Sequence, residues 1–138
     1  MIKLANIHIE RLDDTQRVNH TADLFGVQFP LRLEPTIFGM ADRLAPAYSG
    51  GLWNLYALSN SGFYMAPTTD AIFDVSCENG FDGKLSADAL GITVCLYAYS
   101  HLSFGEGEFA QVCAEQYHLL RAFAMDHAEV RGILAATD

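Results

Sequence analysis

Seventeen carboxylates, five histidines and three cysteines are the residues of this 138-residue chain with chemistry to offer. Their spacing argues against most of it. The histidines stand at 8, 20, 101, 118 and 127. No two are four apart on one helix face, as a zinc-binding pair requires. No GxSxG elbow, phosphate loop or GxGxxG turn is present, so no nucleophile or nucleotide cradle is marked. Cys77, Cys95 and Cys113 lie outside any CxxC pair, and three thiols cannot all pair with one another. Cys95 and Cys113 fall in apolar segments, where a thiol behaves as a small hydrophobe. They are expected to be buried structural thiols in a reduced, cytoplasmic protein. The run from Asp82 to Asp88 resembles a calcium loop but lacks the alternating acids and the terminal Glu. A turn followed by a helix cap explains it better. One carboxylate pair remains: Asp74, facing outward on a strand, and Asp82 in the turn that follows, which a hydrolase could use as acid and base. Two solvated acids beside a sheet is the simpler reading. No metal, no cofactor and no catalysis are expected.

Charge says more about partners than about chemistry. The net charge is -9. Residues 1–69 hold five Lys/Arg against six Asp/Glu, whereas residues 70–138 hold three against eleven. Such a surface repels phosphates, so direct binding to duplex DNA is not expected, while a basic protein would be attracted. Aromatic residues concentrate between Tyr48 and Pro67, where Trp53, Tyr56, Phe63 and Tyr64 occur. Outward-facing rings there would make a binding patch, as a regulatory protein-binding module would carry. Without basic neighbours, stacking on bases is a weak reading, and packing into the core is the stronger one.

Position must come from the elements. A composition 51% hydrophobic and 18% charged is that of a folded chain. At this length about 68% of the unfolded surface can be buried, and one domain spanning 1–138 is expected. No basic apolar leader opens the chain, and no run approaches the roughly 18 apolar residues of a membrane span. Residues 4–9 alternate weakly, as an edge strand would. Asp13 or Asp14 can cap a helix whose Val18, Ala22 and Phe25 share a face and which Gly26 stops. A second helix starts near Pro35 and carries Ile37, Met40, Ala41 and Leu44 up to Pro46. Alternation from Trp53 to Ala57, a Ser59-Asn60-Ser61-Gly62 turn and the run Phe63–Ala66 make a hairpin. Phe73, Val75 and Cys77 then line one face of a third strand, and short spacing favours antiparallel pairing. Asn79-Gly80 and Asp82-Gly83 mark turns, and Ser86 caps an all-apolar central helix with Asp88 at its positive end. An amphipathic helix from Phe109 to Phe123 and a last turn around Val130, Ile133 and Leu134 complete an α+β fold: a small antiparallel sheet of three to four strands packed with about four helices.

Two blocks carry a family resemblance. Gly50-Gly51-x-Trp53, with Tyr56 and then Ser59-Asn60-x-Gly62-Phe63-Tyr64-x-x-Pro67, is similar to the hairpin signature of the ArdB/KlcA antirestriction family. Asn79-Gly80-Phe81-Asp82-Gly83-x-Leu85-Ser86-Ala87-Asp88-Ala89-x-Gly91-Ile92 resembles that family's second block. The sequence departs from the pattern at Leu52 and Leu55, where aromatic residues are expected. The resemblance implies a small α+β protein of plasmids or genomic islands that relieves type I restriction of incoming DNA while sparing methylation. Its partner would then be the host type I restriction–modification enzyme, met directly or indirectly. It implies no catalytic residue or cofactor, and the motif residues are expected to serve the fold. A duplex mimic would need carboxylates spaced like phosphates, about one charge per 1.7 Å of axis, and apolar helices interrupt the acids here. A protein contact in the acidic second half is the better expectation, with Glu78, Asp82, Glu129 and Asp138 as exposed candidates.

Overall fold

In a computed structural model, which describes residues 6–138, local sequence signals set most of the elements. Strand β1 (Ile9–Arg11) opens the described chain. The edge strand expected at 4–9 is thus displaced to 9–11, and residues 4 and 5 lie outside the described part. Helix α1 (Asp14–Phe25) begins at a capping box: Asp13 Oδ1 accepts the Gln16 amide at 2.8 Å, and Gln16 Oε1 accepts the Asp13 amide at 2.9 Å. Gly26, at φ +59°, ends it. A π-helical turn, Phe29–Leu33, leads directly into α2 (Glu34–Leu44), which buries Ile37, Ala41 and Leu44.

Helix α1 departs from expectation in its orientation. Its buried residues are Thr21 and Phe25, while Val18 and Ala22 stay exposed and wall an open apolar groove. Thr21 tolerates burial because its hydroxyl donates to the Arg17 carbonyl at 2.8 Å.

Strands β2 (Trp53–Leu58) and β3 (Phe63–Pro67) form the expected hairpin, with Tyr56 opposite Tyr64, and β1 pairs antiparallel on the other side of β2. The third strand, β4 (Ile72–Ser76), does not join this sheet. It pairs with β5 (Asp82–Ser86), so Asp82-Gly83 is strand where a turn was expected. The physical reason lies at the free edge of β3. Helix α3 (Ala87–Ser103) runs along it and presents Gly91, Cys95 and Tyr99, four residues apart, as one stripe. The Tyr99 hydroxyl donates to the Phe63 carbonyl at 2.8 Å, and Cys95 Sγ lies 3.5 Å from the Met65 nitrogen. An edge already occupied by a helix cannot accept another strand.

α3 is buried nearly all round, as its composition requires, and packs against α2, α4, α5 and β3. Helix α4 (Glu108–Ala124) and α5 (Val130–Thr137) follow. The described residues thus form five α-helices and two small antiparallel sheets, an α+β fold with one helix more than expected and the strands split three and two. All three cysteines are free and buried, and burial pushes the Cys95 thiol up to about 12. None of the described helices is long and apolar enough to cross a membrane.

Candidate functional site

The N-terminus of α3 gathers polar groups from four parts of the chain. Ser86 ends β5 and caps α3, accepting the Ala89 amide at 3.1 Å. Asp88 follows in the first turn, where the helix dipole favours a carboxylate. Tyr64 reaches it from β3, its hydroxyl donating to Asp88 Oδ1 at 2.7 Å. His127, in the turn between α4 and α5, places Nε2 2.7 Å from Asp88 Oδ2. Glu129 closes the network by accepting the Ser86 amide at 2.9 Å and the Ser86 hydroxyl.

Electrostatics hold Asp88 ionised. Burial opposes its charge, but hydrogen bonds from His127 and Tyr64 outweigh that and keep the carboxyl below its usual range. The Tyr64 phenol is pushed far above its ordinary value, by burial first and then by Asp88. The hydrogen bond to Asp88 raises His127, against burial. The Glu129 amide donates to Nδ1 at 2.9 Å, which favours the neutral ring. The charge-assisted contact with Asp88 is the stronger of the two. In the neutral ring both nitrogens are engaged, Nε2–H donating to Asp88 and Nδ1 accepting the Glu129 amide, which leaves no free site for relaying a substrate's proton.

This pair sets a pH window. Asp88, lowered, stabilises the fold above the ordinary carboxyl value of 3.8, and that contribution is lost as pH falls through its folded value. His127, raised, stabilises the fold fully below 6.5, and that contribution is lost as pH rises through its folded value. The melting-temperature advantage of the native protein over Asp88→Asn should thus be largest between these limits and shrink on both sides. A pH-independent difference would mean that the pair does not titrate with folding.

Most residues of the two sequence blocks have visible structural work. Gly50 and Gly51 adopt φ of +89° and +109° ahead of β2, and only glycine enters that region freely. Trp53 is buried against Phe38 and Tyr48 and donates its Nε1–H to the Tyr48 hydroxyl at 2.9 Å. Tyr56 is half-buried and stacks on Tyr64 at 4.8 Å. Ser59 Oγ accepts the His8 amide, and Asn60 donates to the Leu119 carbonyl on α4 while accepting the Gly62 amide. A Cβ at Gly62 would lie 2.9 Å from Asn60 Oδ1. Phe63 is fully buried in an aromatic cluster with Phe25 and Phe29, and Pro67 ends β3 opposite Trp53.

In the second block, Asn79 donates to the Ala135 and Ala136 carbonyls and so ties the β4–β5 turn to the end of α5. Gly80 there has φ +95°, and the Phe81 ring lies over Gly83. The four acidic candidates do not behave alike. Glu78 is exposed on the β4–β5 turn, Asp82 at the start of β5 and Asp138 just after α5, with Arg43 and Arg121 as partners of Glu78 and Asp138. Glu129 is not freely exposed as expected: it is half-buried and holds Ser86. Neutralising it to Gln removes one of the two acceptor oxygens that Ser86 uses, so it belongs with the fold. Asp74 and Asp82 do share the outer face of β4–β5, but Asp74 is paired with Lys84 at 2.7 Å and lies open to solvent.

Beside Asp88 lies a polar cleft of about 380 Å³, lined by Asn54, Tyr56, Thr68, Thr69 and Asp70 among others. Sequence reasoning missed Asn54, Asp70 and His127, and it took Glu129 for an exposed contact residue instead of the acceptor for Ser86. His127 is 39 residues from Asp88, and Glu129 is 43 from Ser86, so no local pattern announces either pairing.

A helix-covered hairpin with a capped core helix, built from these two blocks, is the arrangement of an antirestriction fold. The family model for the antirestriction protein matches residues 46–138, and the chain belongs to that family. Its relatives include the antirestriction protein KlcA of Escherichia coli, 41% identical over 133 residues, covering 93% of this chain and 91% of that one. The uncharacterized protein YafX of Escherichia coli K12 is 40% identical over 131 residues, covering 91% of this chain and 84% of that one. A solved structure from work on KlcA and ArdB superposes with a TM-score of 0.89 at 33% identity, covering 99% of this chain and all of that one. Those proteins are described as having a novel fold and antirestriction activity against type I DNA restriction systems in vivo but not in vitro.

Proposed function

We propose that this protein relieves type I restriction of incoming DNA, leaving methylation of the same sites near normal, through a protein contact made in the cell and without mimicking duplex DNA. Whole-length similarity to KlcA carries the reading. It acts in the cytoplasm, on behalf of a plasmid or genomic island, against the host type I enzyme met directly or through another protein. Two observations favour a protein contact over mimicry. The first half of the chain is nearly neutral, so the acids do not trace a duplex. A mimic would also compete with DNA in a purified reaction, where the solved relatives are inactive. The protein does not bind duplex DNA and is not an enzyme. The half-buried His127–Asp88 pair has both nitrogens of the neutral ring engaged, which supports a structural role for it.

Expression in a type I restricting host should raise the plating efficiency of unmodified phage, with the same sites still methylated in surviving phage DNA. Unchanged restriction at good soluble expression would sink the proposal.

A further inference from the structure

We propose that the cleft beside Asp88 receives the guanidinium group of an arginine side chain presented by a basic partner protein. This deepens the functional reading above and rests on it for the partner being a protein.

Three kinds of group converge there. The first is Asp88, whose carboxylate is oriented by Tyr64 and His127 through one hydrogen bond to each oxygen. Its side chain is still 42% exposed and lines the cleft, and a carboxylate oxygen can accept more than one hydrogen bond. The second is Asp70 at the rim, exposed and making no side-chain hydrogen bond to another described residue. The third is a set of neutral groups. Tyr56 is held flat by its stack on Tyr64, and the Asn54 amide is likewise unengaged among the described residues. No lysine or arginine lines the cleft.

Each feature selects the same chemistry. Carboxylates on two sides exclude phosphate and carboxylate ligands. A guanidinium is planar, offers five N–H donors, stacks on aromatic rings and is weakly hydrated. It can bond Asp88 and Asp70 while lying on the Tyr56 ring. An ammonium carries the charge but neither the plane nor the fork. Volume agrees, since small-ligand pockets begin at about 300 Å³ and this one has about 380 Å³. The acidic second half of the chain would draw a basic partner toward it.

The test uses the whole protein, labelled with ¹⁵N and titrated separately with the N-acetyl methylamides of arginine, citrulline and lysine. Citrulline keeps the shape of arginine without its charge. The arginine probe should shift the amides of Asn54, Tyr56, Asp70 and Asp88 saturably, with an affinity at least about tenfold above either control. Asp70→Asn changes an exposed, unpaired group, so it should melt normally. It should also lose about tenfold in arginine affinity and lose antirestriction in cells. Equal binding of citrulline or lysine would overturn the assignment, as would an Asp70→Asn protein with full arginine affinity. Lost probe binding with full antirestriction would overturn the partner's arginine. If the native protein relieved no restriction, the proposed function would fall, and the titration would still decide the cleft.

Discussion

Replacing Gly91 with alanine should destabilise the protein by about 3 kcal/mol, the upper end of the usual cost of overpacking. The expected sign is unusual for a helix interior, where this change ordinarily gains up to about 1 kcal/mol. Here the new methyl would lie 2.4 Å from both the Ala66 Cβ and the Met65 carbonyl oxygen, and 2.6 Å from the Ala66 Cα. These are backbone and near-backbone atoms of β3, not the end of a flexible side chain. The helix would have to lift away from the strand edge, loosening the Tyr99 and Cys95 contacts on the same stripe. Gly39→Ala on α2 is the control, because its Cβ would meet nothing within 4 Å. It should be neutral or mildly stabilising. Urea midpoints at constant slope measure both, and a Gly91→Ala protein as stable as the native one would mean that α3 and β3 are not in close contact.

Trp53→Ala should cost about 3–5 kcal/mol, a large share of the 5–15 kcal/mol typical of a domain. The indole is only 3% exposed and fills the space between Phe38 and Tyr48. Its loss would also strip the Tyr48 hydroxyl of its donor. Antirestriction should vanish together with folded protein. Neutralising Glu78, Asp82 or Asp138 is the contrasting set, since these are exposed and should change stability by under about 0.5 kcal/mol. Plotting plating efficiency against melting temperature for both sets separates fold from contact. A Trp53→Ala protein that melts normally yet is inactive would move the working surface to the hairpin. Acidic variants that keep full activity would leave the charge of that face as an aid to solubility.

Features that depend on neighbours a few residues apart were legible in the sequence. The α1 cap (left open between Asp13 and Asp14, and taken by Asp13), the Gly26 stop, the Ser86 cap and the 59–62 turn each complete their hydrogen bonds locally. The hairpin and the all-apolar α3 follow from period and composition, and the two motif blocks carried the family. Features decided by competition between distant segments were not legible. Alternation in 72–77 announces a strand but not its partner, and β4 pairs with β5 because α3 has taken the β3 edge. The stripe on α1 shows an apolar face but not its rotation, so Val18 ended outside and Thr21 inside. Glu129 resembles any surface acid until the α4–α5 turn carries it to Ser86, 43 residues earlier in the chain. Local hydrogen bonding and periodicity are written within one turn of chain. The partner of a strand edge, a helix face or a carboxylate is chosen only when packing decides which distant group arrives there first.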